Sequence, residues 1–272
     1  MTGILYICPT PIGNLEDMTF RAIKTLKEVD IIGAEDTRTS MKLLNHFDIK
    51  TKMTSYHKFN EHSKGNYLIE ELLSGKNIAI ISDAGMPGIS DPGSEIISLA
   101  IENDIKIEVL PGATASITAL VASGLNTDRF LFYGFLESKG STRRKELESL
   151  KKNKETIIFY ESPHRIFDTL EDVLLIFGNR KVAICKELTK IHENIIRDTV
   201  ESGIVRLRET VNKGEYVLIV EGNTEVETVE VDIKSELEKL IDGGYTKKDA
   251  IKKVVSEFSI PKNRVYEESL KL

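Results

Sequence analysis

Short, largely apolar runs recur through the first half of the chain, at Ile4 to Cys8, Ile31 to Ala34, Ile78 to Ile81 and Ile107 to Leu110, with helical patterns between them. Continuous apolar runs of this length suit strands buried on both faces, as in parallel sheets. Thr19 has the chemistry of a helix N-cap, and Ala22, Ile23, Leu26 and Val29 behind it fall on one helical face. Further helical patterns cover residues 39–47, 63–74 and 94–103. This alternation predicts a doubly wound α/β domain over residues 1–117.

The second half differs. Phe130 to Phe135, Thr156 to Tyr160, Val182 to Cys185, Ile195 to Val200 and Tyr216 to Val220 read as strands, with helices near 143–152, 164–177 and 202–212. Some connections are short enough for antiparallel neighbours, which predicts a mixed sheet in a second domain, residues 118–224. The acidic stretch "NTEVETVEVDIK" after Gly222 reads as a linker. Beyond it, residues 234–272 predict a small helical unit: Thr246 and Asp249 have capping-box spacing, Ala250, Val254 and Phe258 share a face, and Pro261 opens a further helix. Two helices on a tight turn, with five Lys between Lys247 and Lys262, have a helix-turn-helix outline; a solvated helical tail reads the same way.

Composition narrows the setting. The chain has 272 residues, 40% hydrophobic and 29% charged, ordinary for a globular protein able to bury a core without disulfides or metal. Cys8 and Cys185 both sit in apolar runs, as buried thiols do, and no metal site is expected. Without a signal-peptide pattern or an apolar run of the roughly 20 residues a span needs, the expected location is the cytoplasm, away from membranes. The net charge of −6 argues against a uniformly basic surface and leaves local basic patches open.

The loop most suggestive of chemistry is "SDAGMPGISDPG", residues 82–93, directly after a strand-like run. It lacks the Lys of a phosphate-binding P-loop, and the first strand leads into "PTPIGN" rather than G-x-G-x-x-G. Asp83 and Asp91 would repel a pyrophosphate. The loop therefore suits a nucleoside ligand of neutral or positive charge, such as S-adenosylmethionine, or serves as a plain turn.

Several stretches together resemble a known family. They are "LYICPTPIGNLEDMTFRAIKTLKEVDIIGAEDTR", "SDAGMPGISDPG", "LPGATA", "GLNTDRFLFYGFLESK", "FYESPHRI", "KELTKIHE" and "KGEYVLIVEG". In this order and spacing they are similar to the small-subunit ribosomal RNA methyltransferases that modify the ribose 2′-hydroxyl of a cytidine in the decoding region. Those belong to the tetrapyrrole-methylase, or class III, superfamily. The similarity runs from about residue 3 to 222, and the C-terminal unit resembles the helix-turn-helix piece of many members.

The resemblance implies two α/β domains of the tetrapyrrole-methylase type, with S-adenosylmethionine in the cleft between them and the small helical unit following. It places Gly85, Met86, Pro87 and Ile89 in the family's G-D-P-type loop, with Met86 where tetrapyrrole methylases carry an acid, so the contact there is expected through backbone. Thr114 and Ala115 fall in the P-G-x-[ST] loop, Pro11 comes from the loop after the first strand, and Tyr160 and Leu188 are expected to wall the adenine and ribose.

A ribose hydroxyl is a weak acid, so its methylation calls for a base or for groups that stabilise an alkoxide. The polar candidates at strand ends are Asp36, Arg38, Asp83, Glu161, Lys186 and Glu187. Each has a structural alternative: Asp36 can pair with Arg38, and Glu161 or Glu187 can cap the next helix. Arg143, Arg144 and Lys145 of the basic stretch 139–154, with His164, Arg165 and Lys190, are candidates for RNA phosphates. The expected substrate is a cytidine of small-subunit ribosomal RNA within the assembled subunit, and the expected assembly a homodimer, in which the apolar helix bearing Ile117, Leu120 and Val121 serves the interface or the core. The alternatives are methylation of a tetrapyrrole on the same fold, and a non-catalytic nucleotide-binding module.

Overall fold

In the computed structural model the apolar runs become strands whose alternate side chains are buried on opposite faces, which fixes the layers of the first half. Along the chain come β1 (Ile4–Ile7), α1 (Phe20–Glu28), β2 (Ile31–Ala34), α2 (Thr37–His46), β3 (Met53–Ser55), α3 (Glu61–Leu73), β4 (Ile78–Ile81), α4 (Ser94–Glu102) and β5 (Lys106–Val109). The strands form one parallel sheet in the order β3-β2-β4-β1-β5. Leu5, Ile7, Ile78 and Ile80 face α3 and α4, while Ile32, Ala34, Ala79 and Ile81 face α1 and α2. Thr19 caps α1 as expected, its hydroxyl accepting from the Ala22 N–H at 3.1 Å. β3, three half-buried residues, has no counterpart among the strands expected from the sequence.

The chain then gives α5 (Ala115–Ser123), β6 (Phe130–Phe135), α6 (Gly140–Leu150), β7 (Thr156–Glu161), α7 (Ile166–Phe177), β8 (Lys181–Lys186), β9 (Asn194–Thr199), α8 (Val200–Arg208) and β10 (Tyr216–Val220). The second sheet runs β6-β7-β10-β8-β9 and is mixed: β6 and β7 are parallel, the other pairings antiparallel. One face carries a core of Phe159, Leu170, Val173, Ile184 and Leu218 under α6, α7 and α8. The other is covered by α5 through Ala119 and Leu120, against Ile158, Ala183, Cys185 and Ile219. The boundary expected at residue 117 thus falls inside a helix that packs on the second sheet.

The structure describes residues 2–210, 213–224, 232–258 and 260–272. They divide into two compact units, Met1–Asn223, which holds both sheets, and Thr224–Leu272. Most of the stretch read as a linker, residues 225–231, lies outside the described residues. The second unit contains three helices rather than two, α9 (Ile233–Asp242), α10 (Lys247–Phe258) and α11 (Lys262–Ser269), around Leu237, Ala250, Val254 and Val265. Half of the expected capping box is seen: the Thr246 hydroxyl accepts from the Asp249 N–H at 3.2 Å, while the Asp249 carboxylate accepts at 2.7 Å from that same hydroxyl, where a full box takes the Thr246 backbone N–H. Both cysteines are buried, and burial pushes each thiol up to about 12. Among the described residues no helix is long and apolar enough to cross a membrane.

Candidate active site

The carboxyl ends of a parallel sheet, where connections leave in opposite directions, leave a crevice for ligands. Here β1, β2, β4 and β5 all deliver loops to that edge. The loop after β4 is shaped locally: the Ser82 hydroxyl donates to the Gly85 carbonyl at 3.2 Å, and the Thr10 hydroxyl donates to the Ser82 carbonyl at 3.0 Å. Thr10 and Gly85 exchange two backbone hydrogen bonds, of 2.9 and 3.1 Å, which bind the loop after β1 to the loop after β4. Gly85 has φ +84°, a conformation costly for a side-chain-bearing residue, and a Cβ there would meet Ile12 at 3.3 Å. The second sheet closes in from the opposite side at Gly13, where a Cβ would collide with Lys190 and come within 3.0 Å of the Leu188 carbonyl.

Between these loops and the β6, β7 and β10 ends lies a cavity of about 330 Å³. That is within the roughly 300–1,000 Å³ of small-molecule sites. Of the expected cofactor residues, Gly85, Met86, Ile89, Thr114, Ala115 and Tyr160 line it. Pro11, Pro87 and Leu188 do not; Leu188 is buried in the apolar cluster behind Ile12, which does. Of the expected catalytic residues, Asp83 and Glu161 line it, whereas Asp36, Arg38, Lys186 and Glu187 lie outside. Residues not anticipated from the sequence are Ile12, Glu35, Ser116, Phe135, Glu215, Tyr216 and Val217; Asp91 also lines it, the aspartate of its loop that was not among the expected catalytic residues. A wider groove of about 690 Å³ along α2 and β3 carries one ionisable side chain, Lys50, and no Asp, Glu, His or Cys beside it among the described residues.

The cavity is electrostatically one-sided. Glu35, Asp83, Asp91, Glu161 and Glu215 line it, and among the described residues no Lys, Arg or His does, although Arg165 and Lys190 reach Glu161 and Glu215 from outside the lining. Burial raises the Glu35 and Asp91 carboxyls above their ordinary values, and the charge of Asp91 on Glu35 and of Asp83 on Asp91 adds to it. Asp83 is raised in the same way, though it stands at the mouth and is the most open of the three. Its Oδ1 accepts from the Asp36 N–H at 3.2 Å, and its own N–H donates to Glu35 Oε2 at 3.4 Å, so the tips of β2 and β4 are joined. Asp91 is hydrogen-bonded to Ser82. Across the cavity the Tyr160 phenol bonds to Ser116 at the start of α5, where the Thr114 side chain makes no cap hydrogen bond.

The remaining candidates occupy structural pairs. Asp36 caps α2 and forms a two-pronged pair with Arg38, 3.1 and 2.7 Å, whose hydrogen bonds hold its carboxyl down at about 2. Glu161 accepts from the Thr169 hydroxyl at 2.6 Å and faces Arg165 Nε at 3.3 Å. Arg165 in turn donates to the Leu136 carbonyl at 2.6 Å, fastening the end of β6. Glu187, at φ +52°, takes hydrogen bonds from Lys190 at 2.8 Å and from the Glu215 N–H at 3.0 Å. Burial alone would raise its carboxyl; these bonds outweigh that and lower it. Lys190 is held between Glu187 and Glu215. Arg143 is buried against Asp172 at 2.7 Å, and Arg144 touches the same carboxylate at 3.2 Å; Lys145 and His164 are on the surface.

The family description Tetrapyrrole (Corrin/Porphyrin) Methylases matches residues 4–203. The ribosomal RNA small subunit methyltransferase I of Halalkalibacterium halodurans is 53% identical over 270 residues, covering 97% of this chain and 93% of that protein. The protein of the same name from Bacillus subtilis is 50% identical over 272 residues, with the same two coverages, 97% and 93%. Among solved structures, a uroporphyrin-III C-methyltransferase from Thermus thermophilus complexed with S-adenyl homocysteine is similar in fold, with TM-score 0.57, 17% identity, and 80% of this chain and 97% of that one covered. A diphthine synthase gives TM-score 0.63 at 14% identity, over 82% of this chain and 91% of its own. The chain belongs to the tetrapyrrole (corrin/porphyrin) methylase family and, within it, to the ribosomal RNA small subunit methyltransferase I group.

Proposed function

We propose that the protein uses S-adenosylmethionine to methylate the ribose 2′-hydroxyl of a cytidine in the decoding region of small-subunit ribosomal RNA, acting in the cytoplasm as a homodimer on the assembled subunit. The observation that carries the chemistry is the cavity's lining: five carboxylates, of which, among the described residues, Glu161 and Glu215 alone are paired, from outside the lining, with Arg165 and Lys190, and apolar walls from Ile12, Met86, Ile89 and Val217. Such a lining suits a sulfonium cation attached to a nucleoside and repels a polyphosphate. Group membership carries the substrate class. The solved tetrapyrrole enzymes agree with this chain in fold at under 20% identity, which gives no support to a macrocyclic substrate.

Bound in the cavity, S-adenosylmethionine supplies an electrophilic methyl group on a positively charged sulfur. Gly85, Met86 and Ile89 on one side, and Thr114, Ala115 and Tyr160 on the other, are assigned to holding it. Asp91 is assigned as the base that takes the ribose hydroxyl proton; a carboxyl raised above its ordinary value is a better match for that task than a fully solvated one. Asp83 and Glu35 maintain the negative field around it. RNA phosphates stay outside the acidic cavity, where Arg144, Lys145 and His164 are exposed. Leu120 of α5 belongs to the core while Ile117 and Val121 are 44% and 72% exposed, and these two are the side chains a second copy would cover.

The test is mass mapping of RNA from unmodified small subunits incubated with the protein and S-adenosylmethionine. A single methyl on the ribose of a decoding-region cytidine is expected. No transfer, or a methyl on a base, overturns the reading.

A further inference from the structure

The end of β6 carries a ring that the fold exposes by a specific device. Side chains three apart on a regular strand point to opposite faces. Yet Phe132 and Phe135 both lie edge-on to Tyr160, with ring centroids 5.1 and 5.6 Å away. The pairing of β6 with β7 explains this: Phe132 pairs with Ile158 and Gly134 with Phe159, so Tyr133 is an extra residue, and Gly134 takes φ +81°. That bulge re-aims Phe135 onto the Tyr160 side, into the cavity lining, where it remains 56% exposed. It is also held firmly, paired in register with Tyr160 and followed by Leu136, whose carbonyl is gripped by Arg165. The site Gly134 would give to a Cβ is 3.9 Å from Ser90 Oγ, next to Asp91.

We infer that Phe135 is the stacking platform for the target nucleobase: a planar pyrimidine lies on its exposed ring while the attached ribose reaches toward Asp91. This rests on the RNA substrate proposed above. A neutral aromatic face suits the task, because a base has a π-face to stack and no charge to repel, whereas the acidic lining refuses the phosphates on either side. Tyr160, edge-on beneath, stiffens the platform, so little ordering is lost on stacking.

The experiment compares the wild type, Phe135→Ala and Phe135→Trp in methyl transfer to unmodified small subunits and in S-adenosylmethionine affinity by calorimetry, with thermal melts to check folding. Phe135→Ala is expected to lower kcat/KM about 5- to 150-fold, the size of one lost base–aromatic stack, with cofactor affinity within about twofold; Phe135→Trp is expected to retain transfer. The chain contains no Trp, so the Phe135→Trp protein has a single Trp, whose emission is excited to the red of its eight Tyr and, read as a difference from subunits mixed with the wild type, is expected to be quenched by subunits and not by the cofactor alone. Unchanged kcat/KM in Phe135→Ala, a proportional loss of cofactor affinity, or an emission that subunits leave unaltered overturns the platform. A wild type that transfers no methyl while the Phe135→Trp emission is still quenched by subunits overturns the methylation reading and supports the platform.

Discussion

At the scale of single residues, the carboxylates of the cavity place function against stability. Burial first, then the charge of Asp83, raises the Asp91 carboxyl above its ordinary 3.8. A carboxyl raised on folding binds protons more tightly in the native state, so its contribution favours the fold at low pH and is lost as pH rises from about 3.8 through the raised value. At neutral pH the ionised group is therefore a burden. Asp91→Asn is expected to raise the thermal midpoint at pH 7, with the gain over wild type closing as the pH is lowered into the carboxylate range. The same change is expected to reduce methyl transfer by about 10²-fold or more, as loss of a general base does, and to leave cofactor binding in place. A variant less stable at pH 7, or one with wild-type turnover, would remove Asp91 from this role.

Among elements, α6 and α7 show how a basic stretch divides. Arg143 Nε sits 2.7 Å from Asp172 Oδ2, and the two side chains are 6% and 10% exposed. Arg143→Ala would leave Asp172 buried without its full partner, at a cost of roughly 3–5 kcal/mol in a denaturant midpoint. Lys145→Ala, on the exposed side of the same helix, is expected to change stability by less than about 0.5 kcal/mol and to make the salt dependence of subunit binding shallower by about one ion. The sequence marks all three basic residues alike, because the partner that buries Arg143 lies a helix and a strand away. The strands were legible for the opposite reason: runs such as Ile78 to Ile81 are buried on both faces and need no partner to be recognised. β3 was not, since three half-buried residues form no run. Gly85 and Thr114 were legible in the loops, and Tyr160 at the strand end, that a family resemblance marks out as the cavity's lining. Phe135 was not, because a two-residue period cannot register a bulge, and Glu35 was hidden beside Asp36, whose pairing with Arg38 is the simpler local chemistry.

For the molecule as a whole, the two units are built around separate cores. The three C-terminal helices bury Leu237, Ala250, Val254 and Val265 among themselves. A chain ending at Asn223 is therefore expected to unfold in one cooperative transition and to bind S-adenosylmethionine within about twofold of the full-length protein by calorimetry; a large loss of affinity would show that the second unit contributes to the cavity. Within the first unit the connectivity has a further consequence, in the timing of synthesis. β10 is the last strand of its sheet in sequence and the middle one in space, inserted between β7 and β8. Chains emerge from the amino end and the early domain folds first, so the parallel sheet and the Thr10–Gly85 clasp can form while the other wall of the cavity is still missing. Tyr216 and Val217 complete that wall, and with them comes the strand on which β7 and β8 pair. In our proposal, where this cavity holds the cofactor, a nascent chain thus cannot bind it until nearly all of the first unit has left the ribosome, the particle whose RNA it goes on to modify.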